Sequence, residues 1–144
     1  MTRSGYRFLP HTTDAYVESV GTNPEEALEN AALALFDTMC DLNSISPKLY
    51  DVITVEGADD LELLYNWLEA LLLRFELNQK VYNKFRVSLA KRPGGGLGIT
   101  AEADGEPFDR HKHRAKVEVK AVTYHRMEVS QEGGLTIIRF ILDL

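Results

Sequence analysis

The chemistry open to this 144-residue chain rests on four histidines and a few well-spaced carboxylates. His11 and Asp14 bracket a His-Thr-Thr-Asp run that follows Pro10. Strand-like residues come after Asp14, so it does not cap a helix; an Asx-turn oxygen and a functional carboxylate are both open to it. His111 and His113 flank Lys112, which would put two imidazoles on one face of an extended segment. Together with His11 and His125 they are the side chains a zinc ion would use, but no thiol or second close pair supports that choice. A solvated loop carrying two histidines is the simpler expectation. At the far end, an apolar run over 135–142 stops at Asp143 and Leu144. The Asp143 side chain, the Leu144 α-carboxylate and Asp14 offer hard oxygens of the kind Ca²⁺ or Mg²⁺ prefers. Converging without a cation, such groups repel, and some must take up protons. Nothing in the spacing brings residue 14 beside residue 143; only the fold can do that.

Lys-Ala-Val-Thr-Tyr-His, residues 120–125, lies in a stretch that alternates over 117–129. Val117, Val119, Ala121, Thr123, His125, Met127 and Val129 make one face, and Lys120 falls on the other. By itself that pattern makes His125 a core histidine and Lys120 a solvated lysine. Pro-Gly-Gly-Gly-Leu-Gly at 93–98 looks like a phosphate loop, but strand rather than helix follows and no lysine closes the motif. It reads as a hairpin turn. Cys40, the one cysteine, sits in an apolar helical run and reads as a small buried hydrophobe.

The elements that must position these groups follow from local rules. Short strands are expected over 6–9 and 15–20. Asn23 as N-cap, Pro24 at the first helical position and Glu26 three residues after the cap open a helix that runs to about Cys40. A β-branched strand over 49–56 precedes a second helix, which starts at Asp59 or Asp60 and carries an apolar seam of Leu61, Leu64, Leu68, Leu71 and Phe75. After Gln79 the period becomes two. Strands are expected over 81–90, 97–103, 117–129 and 135–143, with turns at 92–96, at Asp104-Gly105 and at 132–134, and with a polar loop over 106–114. The order is that of an α+β fold, antiparallel β-sheets with two main helices, in a single domain spanning 1–144.

Composition narrows the function classes. Residues 1–79 carry 4 Lys or Arg against 14 Asp or Glu, residues 80–126 carry 11 against 5, and residues 127–144 carry 1 against 3, for a net charge of −6. A chain that gripped nucleic acid by its overall charge would be basic. The positive 80–126 segment is either a solvated strand face or a handle for a charged partner. No run is apolar enough to span a bilayer, the first ten residues lack the core of a signal peptide, and one cysteine suits a reducing compartment, so a cytoplasmic protein with no membrane partner is expected.

Tyr-Arg-Phe-Leu-Pro-His-Thr-Thr-Asp from residue 6, Ala-Ala-Leu-Ala-Leu-Phe-Asp in the first helix, Gly-Glu-Pro-Phe-Asp-Arg-His-Lys-His-Arg, Lys-Ala-Val-Thr-Tyr-His and the closing Phe-Ile-Leu-Asp-Leu together resemble the archease family. The likeness covers residues 6–144, and its specificity lies in the ordered combination. The resemblance implies a non-enzymatic activator of the tRNA-splicing RNA ligase, which joins 3′-phosphate or 2′,3′-cyclic-phosphate ends to 5′-hydroxyl ends. Such an activator promotes guanylylation of the ligase and so its multiple turnover, and its link to tRNA and GTP runs through the ligase. The family pattern further implies a divalent-metal site, Ca²⁺ or Mg²⁺, at Asp14 and Asp143, with Leu144 adding a ligand through its backbone or α-carboxylate. It places an important lysine at Lys120. His11 and His125 are expected to face the partner. Asp143 shares its face with Arg139 and Ile141 if the last strand alternates, so the strand would have to turn outward at its end. Two other classes compete: a stand-alone metal-dependent hydrolase with His11 or His125 as base, and a chaperone-like adaptor without metal.

Overall fold

A computed structural model describes residues 4–11 and 13–144; residues 1–3, which open the segment read as lacking a signal peptide, and Thr12 of His-Thr-Thr-Asp lie outside the described residues. Strands β1 (Gly5–Leu9) and β2 (Ala15–Gly21) lead into helix α1 (Pro24–Met39). A short 3-10 turn (Leu42–Ser44), strand β3 (Leu49–Gly57) and helix α2 (Asp60–Asn78) follow, and then β4 (Lys80–Lys91), β5 (Leu97–Pro107), β6 (Ala121–Glu132) and β7 (Leu135–Asp143). The strands form two antiparallel sheets, ordered β1-β2-β7-β6 and β3-β5-β4, and each helix packs on strands of both. The α+β class expected from the sequence is the one observed.

Both helices start as their caps dictate. The Asn23 side chain accepts the Glu26 N–H, with Pro24 at the first helical position, and Asp59 does the same for Glu62. Asp59 rather than Asp60 is therefore the cap of α2. That helix ends on Gln79 in the left-handed conformation (φ 56°), which satisfies its last carbonyls. Helix α1 has no basic residue in its last turn; Lys116 supplies the charge from a distant loop, its ammonium donating to the Asp37 carbonyl at 2.8 Å and to the Asp37 carboxylate at 2.9 Å. The core between the helices is aromatic. Trp67 is fully buried and its indole N–H donates to the Leu28 carbonyl at 3.0 Å, while Phe85 meets it edge-on and in turn packs against Phe36 and Tyr82. Cys40 is buried as expected, and burial pushes its thiol up to about 11, so it is chemically quiet.

Three departures from the sequence reading bear on the site. Asp104-Gly105 is not a turn: β5 runs through it to Pro107, pairing with β3 and β4. Gly105 is needed there because the β4 backbone bulges at Asn83 and crowds it; a Cβ would lie 1.9 Å from the Val81 carbonyl oxygen. Strand β6 starts at Ala121, and residues 117–120 are an extended lead-in, with Val119 buried and Val117 exposed. Finally, the alternation in β6 breaks. Thr123 pairs with Ile141 and Glu128 with Arg139, so residues 124–127 all stand against Phe140 alone. Arg126 absorbs the bend at φ 57°. Tyr124, His125 and Arg126 are consequently all exposed before Met127 turns back into the core. His125 is thus not the core residue that strict alternation implied.

Candidate functional site

The pairing of β2, β7 and β6 brings the two ends of the chain together. Ala15 pairs with Leu142, and Leu142 pairs with Val122. Asp14 precedes Ala15 and Asp143 follows Leu142 on an antiparallel neighbour, so the two carboxylates end adjacent strands side by side. Ala121 pairs with Asp143, and the Lys120 N–H donates to the Asp143 carbonyl at 2.7 Å. The inner face of this sheet carries the buried Val17, Phe140 and Leu142. Alternation puts Asp14 with Tyr16, and Asp143 with Ile141 and Arg139, on the outer face. Because that face is the outer one, β7 need not turn at its end to present Asp143. Asp143 and Lys120 are exposed, and Asp14 and Leu144 are half-buried.

The surroundings explain why these groups stay open. His11 Nδ1 lies 3.9 Å from Asp14 Oδ2, too far for a hydrogen bond, and its ring meets Tyr16 edge-on at 6.1 Å. The bulge in β6 folds Arg126 back across the outer face, with its guanidinium 5.9 Å from the Tyr16 ring centre. Ile141, the cross-strand partner of Tyr16, is buried although it faces outward. Tyr124 stacks flat on Tyr65 of α2, with ring centres 4.4 Å apart, and keeps its other face in solvent. Further along the same face Glu18 is fully engaged, accepting from Arg7 at 2.7 Å and from Arg139 at 2.9 Å; these bonds hold its carboxyl below the usual range. Among the described residues the acid pair at the strand ends has no such partners apart from the loose His11 contact.

Two aspartates and a main-chain oxygen at Leu144 are hard donors, and their chemistry fits Ca²⁺ or Mg²⁺ rather than zinc. Among the described residues no three His, Cys, Asp or Glu side chains converge into a ready cage. An ion held there would keep water or partner ligands in the rest of its shell, as Mg²⁺ commonly does. The four histidines are scattered rather than gathered: His11 sits by Asp14, His125 on the bulge, His111 in solvent and His113 in the interior.

His113 overturns the expectation of a solvated loop. Residues 109–113 form a capped turn, in which Asp109 Oδ1 accepts the N–H groups of His111 and Lys112 and the His113 N–H reaches the Asp109 carbonyl. The turn drives the His113 ring into the fold. There Nδ1 accepts the Asp109 N–H at 2.9 Å, which leaves the proton on Nε2 to donate to Glu106 at 2.7 Å. Burial pushes the Glu106 carboxyl up, but His113, the Lys112 ammonium and the Ser46 N–H outweigh it and bring it down to about 2. The aspartate ahead of the two histidines was the available signal for such a turn, whereas nothing local pointed to Glu106 as the ring's partner. The outward position of His125 was equally hidden, since the bulge depends on β7.

Known proteins resemble this chain over nearly all of its length. The Archease protein family (MTH1598/TM1083) matches residues 6–144. The Sulfolobus acidocaldarius protein archease is 38% identical over 144 residues, covering 100% of both chains, and that of Sulfurisphaera tokodaii is 35% identical over 139 residues, covering 96% of this chain and 98% of its own. The solution structure of Methanobacterium thermoautotrophicum protein 1598 superposes with a TM-score of 0.85 at 37% identity, covering 97% of this chain and 99% of its own. A Thermotoga maritima crystal structure, described as an archease and possible chaperone, shares the fold at a TM-score of 0.62 and 19% identity, with 96% of each chain covered. The chain belongs to the archease family.

Proposed function

We propose that this protein activates a tRNA-splicing RNA ligase without being an enzyme itself, and that the Asp14–Asp143 end of the β1-β2-β7-β6 sheet is the working site. The observation that carries this reading is the meeting of Asp14, Asp143 and the Lys120 backbone at one open strand end. Buried carboxylates of this chain are tied up by Arg, Lys or His, whereas these two lie free of any guanidinium or ammonium partner among the described residues. Asp14, Asp143 and a main-chain oxygen of Leu144 would hold a Ca²⁺ or Mg²⁺ ion, which when bound supplies positive charge to a nucleotide's phosphates. The protein's own groups then have distinct tasks. The two carboxylates fix the position of that charge at the tip of a rigid sheet. Lys120, exposed beside them, reaches a phosphate or an acidic group of the ligase. His11 and His125 border the contact. The acidic 1–79 half gives the surface a sign complementary to a basic ligase.

Counting ligation turnovers per ligase tests the reading. Wild type is expected to convert near-single turnover into multiple turnover and to raise ligase guanylylation with GTP. Asp143→Asn, which keeps shape and removes charge, is expected to lose both effects with its fold intact. Unchanged turnover on adding wild type would sink the proposal. Stoichiometric or faster GTP hydrolysis by the pure protein with divalent metal would replace it with the hydrolase.

A further inference from the structure

The capped turn over 109–113 has an outer side that neither the fold nor the acid site uses. Arg110, His111 and Arg114, with Ala115, line an open hollow of about 510 Å³ there. Every other cation in this loop up to Lys116 is spoken for: Lys112 holds Glu106, and Lys116 holds Asp37. Arg110, His111 and Arg114 make no ion pair among the described residues, and all three are exposed. The nearby Asp109 carboxylate is turned onto the N–H groups of His111 and Lys112. An unpaired cationic island is notable on a chain of net charge −6.

Backbone geometry marks the same spot. Arg114 sits at φ 52°, a conformation in which glycine would be unstrained and in which helical turns commonly place glycine. An arginine is held there because the turn is over-determined: His113 is locked inside, its carbonyl accepts the Asp41 N–H, and the Ala115 N–H reaches the Arg110 carbonyl. The Arg114 side chain is exposed there and lines the same hollow as Arg110.

We infer that Arg110, His111 and Arg114 form a binding surface for the phosphodiester backbone of an RNA strand. Forked guanidinium groups suit phosphate oxygens. The N–H groups of Asp109, His111, Lys112, His113 and Ala115 are consumed internally, which leaves no run of successive free amides to cradle a nucleotide's triphosphate. No Phe, Tyr or Trp ring lines the hollow for base stacking, and its lining is mainly guanidinium, so recognition is of backbone charge and independent of sequence. Choosing RNA over other polyanions rests on the proposed link to an RNA ligase, whose substrate strand would lie close by.

Arg110→Gln/Arg114→Gly is the test variant, because glycine relieves the positive φ and the melting temperature should not fall. Binding of a labelled RNA of about 12 nucleotides is measured by fluorescence anisotropy against salt, with no ligase present. Wild type is expected to bind at about 50 mM salt, with log K falling against log salt at a slope of about −1.4 for two single-strand phosphate contacts. The variant should bind about tenfold more weakly and lose that slope. Absent binding by wild type, or equal binding by the variant, overturns the inference. A polyglutamate peptide bound as tightly as RNA would make this an acidic-protein surface instead, and GTP bound as tightly would make it a nucleotide site. Ligase guanylylation, run without RNA, should respond to the variant as to wild type. Failure of wild type in that assay alone would remove the ligase reading and leave the RNA surface standing.

Discussion

The molecule contains two histidine–carboxylate pairs of opposite character. In one, Glu106 and His113 meet at 2.7 Å with side chains 3% and 0% exposed. In the other, His11 and Asp14 stand 3.9 Å apart with side chains 22% and 26% exposed. The first pair has its hydrogen-bonding groups committed to Lys112, Ser46 and the Asp109 backbone, so it can do nothing but hold the loop that precedes Lys120. The second leaves carboxylate oxygens uncommitted at the end of a central strand, next to Asp143. Similar side chains thus form a structural lock in one place and stay uncommitted in the other. What separates them is whether the fold has already satisfied their polar atoms.

That contrast can be broken from the buried side first. His113→Ala should cost about 3 kcal/mol or more in chemical denaturation, because it strands the Glu106 charge in the interior and removes a ring stacked on Phe108. It should also loosen the 108–120 loop, read as faster proteolysis there. A nearly neutral result would mean that Lys112 alone suffices to hold Glu106.

On the open side the lever is metal. Ca²⁺ at about 100 times its Kd should stabilise wild type by about 2.7 kcal/mol and leave Asp143→Asn unmoved. In chelator the same substitution should be neutral or slightly stabilising, within about 0.5 kcal/mol, since it relieves repulsion from Asp14. Equal Ca²⁺ responses in the two proteins would detach the acid pair from metal.

Acid should also act on the locked pair. The Glu106 carboxyl drops from an ordinary 4.5 to about 2 in the folded protein. A depressed folded value means its contribution is fully present above about 4.5 and is lost as pH falls towards about 2. Unfolding titrations across that window should therefore be steeper for wild type than for Glu106→Gln. Parallel curves would show that other carboxylates dominate acid unfolding. The smallest effect belongs to His11→Ala, at most about 0.5 kcal/mol, because a half-exposed pair 3.9 Å apart contributes little.

Much of this was legible in the chain. The helix starts at Pro24 and Asp60 follow from Asn23 and Asp59, whose side chains act within three residues. Strand alternation, the Pro-Gly-Gly-Gly hairpin and the burial of Cys40 are similarly local consequences of residue type. The candidate site residues Asp14, Asp143 and Lys120 came from a resemblance, and their spacing alone did not bring them together.

Tertiary structure decided the rest, wherever a residue's fate depends on a strand remote in sequence. Gly105 looks like a turn until β4 crowds it at Val81. Tyr124, His125 and Arg126 look like an alternating strand until β7 offers only Phe140 to the four residues 124–127. His113 looks like a surface histidine until the turn at Asp109 points it at Glu106. Asp14 and Asp143, 129 positions apart, become neighbours only through the β2–β7 register. Local preferences act over about four residues, through caps, turns and side-chain period. Strand pairing and the satisfaction of buried charge are set by contacts that the chain makes only once it has closed on itself.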